Sequence, residues 1–78
     1  LRVIRQIRAA ISREGVVRAE VRVNERVAQE LQNRMRRAMV KMEDSTSAAI
    51  SVYGDADVGV EEIDITCLDA KGEKLKNA

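Results

Sequence analysis

Seventy-eight residues allow one domain at most, one that buries only roughly 60% of the surface its unfolded chain exposes. Tyr53 is the sole aromatic residue, His is absent and Cys67 is the single cysteine; stacking platforms for single-stranded RNA, a disulfide framework and most nucleophile–base pairs are thereby excluded. The formal net charge of +1 hides a division: residues 1–42 carry ten Arg and one Lys against four Glu, a net of +7, and residues 43–78 carry three Lys against nine acids, a net of −6.

The first predicted element is a helix from Leu1 to about Arg13. Val3, Ile4, Ile7, Ala10 and Ile11 recur at three- and four-residue steps, which places them on one helical face, while Arg2, Arg5, Ser12 and Arg13 fall away from it and Arg8 lies at its edge. Gly15 stops this helix. Strict alternation follows, with Val17, Ala19, Val21 and Val23 pointing one way and Arg18, Glu20 and Arg22 the other, the pattern of a half-buried strand.

Asn24 is placed to cap a second helix, with Glu25 in its first turn where the helix dipole favours a negative charge. Val27, Ala28, Leu31, Met35, Ala38, Met39 and Met42 share one arc of about 120°, so a single helix is expected to run to Asp44–Thr46. Glu30, Arg34, Arg37 and Lys41 lie opposite, and Val40 is an apolar residue on this polar side. A second strand turns Ala48, Ile50 and Val52 inward and Ala49, Ser51 and Tyr53 outward; a third turns Ile63, Ile65 and Cys67 inward and Glu62, Asp64 and Thr66 outward. The loop Gly54–Gly59 between them predicts an antiparallel hairpin.

The expected fold is therefore an α+β two-layer sandwich of order α-β-α-β-β, with two helices on one face of a three-stranded sheet. Residues 1–70 are expected to form the domain, with a turn over Asp69–Gly72 inside the passage to a polar tail at 71–78. No apolar run approaches the roughly eighteen residues of a membrane span, so neither a membrane partner nor a membrane location is expected. The lone cysteine and missing leader fit a cytoplasmic origin. The opening on Leu1 reads as part of a longer chain.

Acidic residues around the loop, namely Asp55, Asp57, Glu61, Glu62 and Asp64, raise a divalent-metal or regulatory reading, but their spacing is not that of a calcium loop. A solvated turn held by Asp side chains is the simpler expectation, and no catalytic, metal or cofactor residue is assigned. Phosphate-binding glycine signatures are missing as well. Two surfaces remain. Arg34, Arg37 and Lys41 form one basic strip and Arg2, Arg5 and Arg8 another; guanidinium groups on a rigid helix suit RNA phosphates, against the plainer reading of solvated helix faces with a Glu30–Arg34 pair. On the sheet, Arg18 and Arg22 carry the opposite charge to Glu62 and Asp64, so these groups could pair within one chain or between copies, with Val40 and Tyr53 as apolar contact points.

The second helix reads Val27-Ala28-x-x-Leu31-x-Asn33-x-x-Arg36, after an alternating strand and an amphipathic helix opening Leu1-x-x-Ile4-x-x-Ile7. This order and motif resemble the small C-terminal domain of the catalytic region of ribonuclease E/G-type endoribonucleases, over the chain to about residue 73. The resemblance implies a parent hydrolase that processes RNA with magnesium, and a Cys-Pro-x-Cys motif for zinc, both upstream of residues present here. It also implies that this part is non-catalytic and serves homo-oligomeric assembly, with Asn33 and Arg36 among the candidate interface residues. Gln32, Arg34-Met35 and Ser45-Thr46-Ser47 depart from the family's usual pattern. RNA contact through the basic helix faces is the alternative function.

Overall fold

A computed structural model describes residues 2–75; Leu1 of the helix motif and residues 76–78 of the expected tail lie outside the described residues. Helix α1 (Arg2–Ile11) buries Ile4, Ile7 and Ile11. Beyond it Gly15 adopts φ +88°, a left-handed conformation that glycine takes without steric cost and that turns the chain back toward the sheet. Strand β1 (Arg18–Val23) follows, with Ala19, Val21 and Val23 almost wholly buried. The alternation starts one residue later than the sequence predicts. Val16 is the buried residue of the connection and Val17 is exposed at 42%, although Val17 already bonds both neighbours, its N–H donating to the Leu68 carbonyl and its carbonyl accepting the Ala49 N–H, each at 2.9 Å.

Asn24 caps the next helix as expected, its side-chain oxygen accepting the Arg26 N–H at 3.0 Å. The expected single helix is instead two, α2 (Glu25–Asn33) and α3 (Arg36–Thr46). At the junction the Arg34 and Met35 N–H groups both donate to the Glu30 carbonyl, at 2.8 and 3.1 Å. The second of these bonds spans five residues, a widened turn that interrupts the regular ladder. Arg34 and Met35 at the break both favour helix, with only Asn33 before them a weaker helix former, and the apolar stripe continues across it. Val27, Leu31, Met35, Ala38, Met39 and Met42 all belong to the core or pack against it.

Helix α3 ends on Ser47, at φ 60°, with its N–H donated to the Glu43 carbonyl at 2.8 Å. A serine thus occupies the left-handed position where glycine is the usual helix terminator. Strands β2 (Ala49–Gly54) and β3 (Ile63–Leu68) complete the sheet, in the order β2-β1-β3. β1 pairs with β2 in parallel and with β3 antiparallel. The expected β2–β3 hairpin is therefore not formed. The connection between them crosses the end of β1, where the Asn24 side-chain amide donates to the Val58 carbonyl at 2.8 Å and the Asp55 N–H donates to the Val23 carbonyl at 2.8 Å. Those bonds give the Gly- and Asp-rich segment a bridging role that local turn chemistry does not reveal.

The three helices lie on one face of this mixed sheet, so the α+β two-layer class stands, with its second helix divided. Ile7, Leu31, Val21 and Val23 form the centre of the core. Gly54 lies in close packing against α2: a Cβ there would come within 3.3 Å of the Ala28 Cβ and of the Glu25 Cα. After the turn at Asp69–Gly72, the Leu75 N–H donates to the Cys67 carbonyl at 2.9 Å and Lys74 bridges Leu68, so the chain folds back beside β3. Because an L-residue in the left-handed region costs about 1 kcal/mol or more, Ser47→Gly is expected to stabilise the domain by about 0.5–1 kcal/mol after its greater unfolded-state entropy is offset. Urea denaturation followed by circular dichroism checks this; a destabilised variant would contradict the capping geometry.

Candidate functional site

The sheet face opposite the helices is uncovered. Arg18, Glu20 and Arg22 of β1 lie there beside Ser51 and Tyr53 of β2 and Asp64 and Thr66 of β3. Arg22 stands opposite Asp64 in the antiparallel register, yet its ion pair is with Asp55, Nε to Oδ2 at 3.3 Å. Arg18 donates from Nε and a terminal guanidinium nitrogen to Ser51 Oγ, at 3.3 and 3.0 Å. Both arginines on this face are thus engaged within the chain. With the Arg22 side chain 59% exposed, its pair is worth no more than about 1 kcal/mol. Tyr53, 49% exposed, borders a shallow depression with Glu20, Arg22, Asp55 and Asp64.

Glu62 does not join this face. It precedes β3, its carboxylate accepts the Gly59 N–H at 3.2 Å, and it lines a different groove between α1, α2 and the start of β3. That groove, with a volume of ≈ 400 Å³, has Val3, Val27, Leu31 and Met35 among its walls. Arg2 also lines it, as do Glu30 and Glu61. Arg5 and Arg8 are exposed on α1.

The other predicted residues converge on the α2–α3 junction. Arg34, Arg37 and Lys41 border one shallow surface together with Asn33, Arg36 and Val40. Glu30 pairs with Arg34 at 3.6 Å, the expected i,i+4 contact, between well-exposed side chains. Around the corner, Asn33, Arg36 and Val40 line a second groove with Met39 and Glu43 of α3 and Ile50 and Val52 of β2. Val40 is 45% exposed. This groove runs along the side of β2 that faces away from β1.

Parity identifies the backbone groups on that side. The Ala49 and Asp55 N–H groups donate to β1, at Val17 and Val23. In a parallel ladder, alternate residues point both N–H and C=O to the same neighbour, so Ile50, Val52 and Gly54 present theirs to the open edge. The Glu43 carboxylate accepts the Ile50 N–H at 2.7 Å, closing the first of these positions. Sequence reasoning missed Glu43. An acid in the last turns of α3, next to a strand that follows after a short connection, is the signal that could have indicated it.

Asp55 in the acidic loop and Asp69 in the later turn are likewise held in structural roles. Asp55 Oδ1 accepts the Asp57 N–H at 2.9 Å while Oδ2 meets Arg22, and Asp69 Oδ1 accepts from Lys71 and Glu73. Among the described residues, no group of three or more His, Cys, Asp or Glu is placed to hold a metal ion. Cys67, buried, has its sulfur 3.9 Å from the Ala10 carbonyl and no second thiol to form a C-x-x-C pair. Among the described residues, no helix is long and apolar enough to cross a membrane.

The fold and surfaces define a small α+β domain with a mixed three-stranded sheet covered on one face by helices. Residues 1–68 match the family model described as the RNase E/G, thioredoxin-like domain, and the chain belongs to that family. RNase E/G proteins are hydrolytic endoribonucleases, so the chain is a domain from an RNA-processing enzyme family. No curated protein matches the chain.

Proposed function

We propose that this domain is a non-catalytic assembly module of an RNase E/G-type endoribonuclease, joining copies of the protein rather than cutting RNA. The observation that carries this reading is the open β2 edge. It offers backbone groups of Val52 and Gly54 beside an exposed apolar residue, Val40, in a groove that Asn33 and Arg36 also line. Exposed strand edges are templates for pairing with another chain. The charges of the open sheet face, by contrast, are already engaged within the chain at Arg18 and Arg22. The reading places the catalytic and metal-binding residues of the parent enzyme, with magnesium as cofactor, outside this chain. Sedimentation velocity of the isolated chain is expected to show a reversible dimer or larger species in the high-micromolar range; a monomer at all concentrations would overturn the proposal.

A second reading is favoured by the α2–α3 junction, which gathers Arg34, Arg36, Arg37 and Lys41 onto one surface. RNA would be the partner there, held through phosphates. Binding by such a surface falls with salt in proportion to the number of phosphate contacts. An oligonucleotide titration is expected to show weak affinity at low salt, and the triple variant R34A/R37A/K41A to reduce both the affinity and the salt slope. Unaltered affinity in the triple variant would remove this reading.

A further inference from the structure

The three helices cover their face of the sheet unevenly. α1 packs on α3, β1 and β3, and α2 packs on α3, β1 and β2, but α1 and α2 do not pack on each other. The gap between them is the groove of ≈ 400 Å³ described above, walled by Val3, Val27 and Met35. Val23 and Leu31, each 1% exposed, are its most buried residues. It shares only Leu31 with the groove beside β2, so the assembly reading makes no use of it.

Residues 60–63 also line this groove, and Val60 is 61% exposed, more than any other large apolar side chain among the described residues. A branched apolar residue left in water beside half-buried Val3, Val27 and Ile63 extends an apolar surface rather than closing one. The charged residues of the walls are three carboxylates, Glu30, Glu61 and Glu62, and one guanidinium, Arg2, a net of −2. Glu30 and Glu62 have contacts within the chain, to Arg34 and to the Gly59 N–H. The Glu61 carboxylate has no partner among the described residues.

That sign of charge repels nucleic acid and anionic lipid. A second copy is unsuited for a different reason, since each helix of this chain already buries its apolar face in its own core. A gap between two helices over an apolar floor is the shape filled by a further helix, docked through residues at i, i+3, i+4 and i+7. We propose that the α1–α2 groove receives a basic amphipathic helix of another protein. Its apolar stripe covers Val3, Val27 and Val60, and Lys or Arg residues beside the stripe meet Glu61 and Glu62. The domain is then a docking point for a partner protein, separate from the β2 edge and from the basic α2–α3 junction.

The probe is a designed helix of roughly 15 residues with Leu at the docking positions and Lys elsewhere, and its counterpart carries Glu in place of Lys. Methyl NMR of this chain, titrated with the Leu/Lys helix, is expected to shift Val3, Val27, Val60 and Ile63 and to leave Val40 unmoved. The Leu/Glu helix is expected to bind at least about tenfold more weakly. V60S/E61K alters two exposed side chains and is expected to lower the affinity for the Leu/Lys helix about tenfold, with the circular dichroism of the domain unchanged. No binding, equal binding of both helices, shifts centred outside the groove, or full affinity in V60S/E61K would each overturn the proposal. So would binding of a free alkylammonium ion in the groove where the Leu/Lys helix fails to bind, because the occupant would then be a small cationic amphiphile. Self-association of the chain is read separately, by sedimentation, and none of these outcomes bears on it.

Discussion

The pairing of β1 on both of its edges is the constraint on which the rest of the molecule depends. A strand of alternating small and β-branched residues, Ala19, Val21 and Val23, is buried on one face and hydrogen-bonded on both sides, parallel to β2 and antiparallel to β3. The parallel partner demands a crossover, which α2 and α3 supply over the helical face. The antiparallel partner demands that the chain pass the end of β1 after β2, and Asn24 and Asp55 hold that passage to the end of β1. Asn24 thus links two roles, capping α2 and anchoring the crossing loop. The apolar stripes of α1, α2 and α3 then close over one side of the sheet.

Placing β1 in the centre also decides which surfaces remain available. β3 is bordered in part by the returning segment at Lys74 and Leu75. β2 is left with an outward edge on which Glu43 closes one donor and leaves others. The second sheet face carries both signs of charge, but its arginines find partners at Ser51 and Asp55. Residues 63–65 of β3, beyond the returning segment, are thus one of two open edges of the sheet, the other being the edge of β2 beside the end of α2 and the start of α3. The same corner gathers the basic residues Arg34, Arg37 and Lys41 on its outer side. Assembly and polyanion contact would consequently draw on adjacent surfaces of the junction.

Much of this was legible in the residues, since periodicity is imposed by burial. The faces of α1 and β1, the Asn24 cap, the inward set of β2 and β3 and the outward Val40 and Tyr53 all follow from two periods, 3.6 and 2. Strand order was not legible. A Gly- and Asp-rich segment between two amphipathic strands has the composition of a hairpin loop, and only the long-range pairing of β1 distinguishes a bridge from a turn. The break at Arg34–Met35 was hidden for a related reason: both residues favour helix, and the widened turn keeps Leu31, Met35 and Met39 on the core. Ser47 shows the limit of local signals, as a left-handed position with no glycine to announce it. Of the candidate interface, Asn33, Arg36 and Val40 converge on the β2 edge, whereas Glu43 emerges only from its bond to the Ile50 backbone.

The central claim, that this domain assembles through the outward edge of β2, predicts a specific pattern of backbone protection. Amide hydrogen exchange measured across a concentration series resolves it residue by residue. The Ile50 amide, held by Glu43, should be protected at every concentration. The Val52 and Gly54 amides should become protected only over the range in which the chain associates. Concentration-independent exchange at Val52 and Gly54, under conditions where the chain is demonstrably a dimer, would contradict the account.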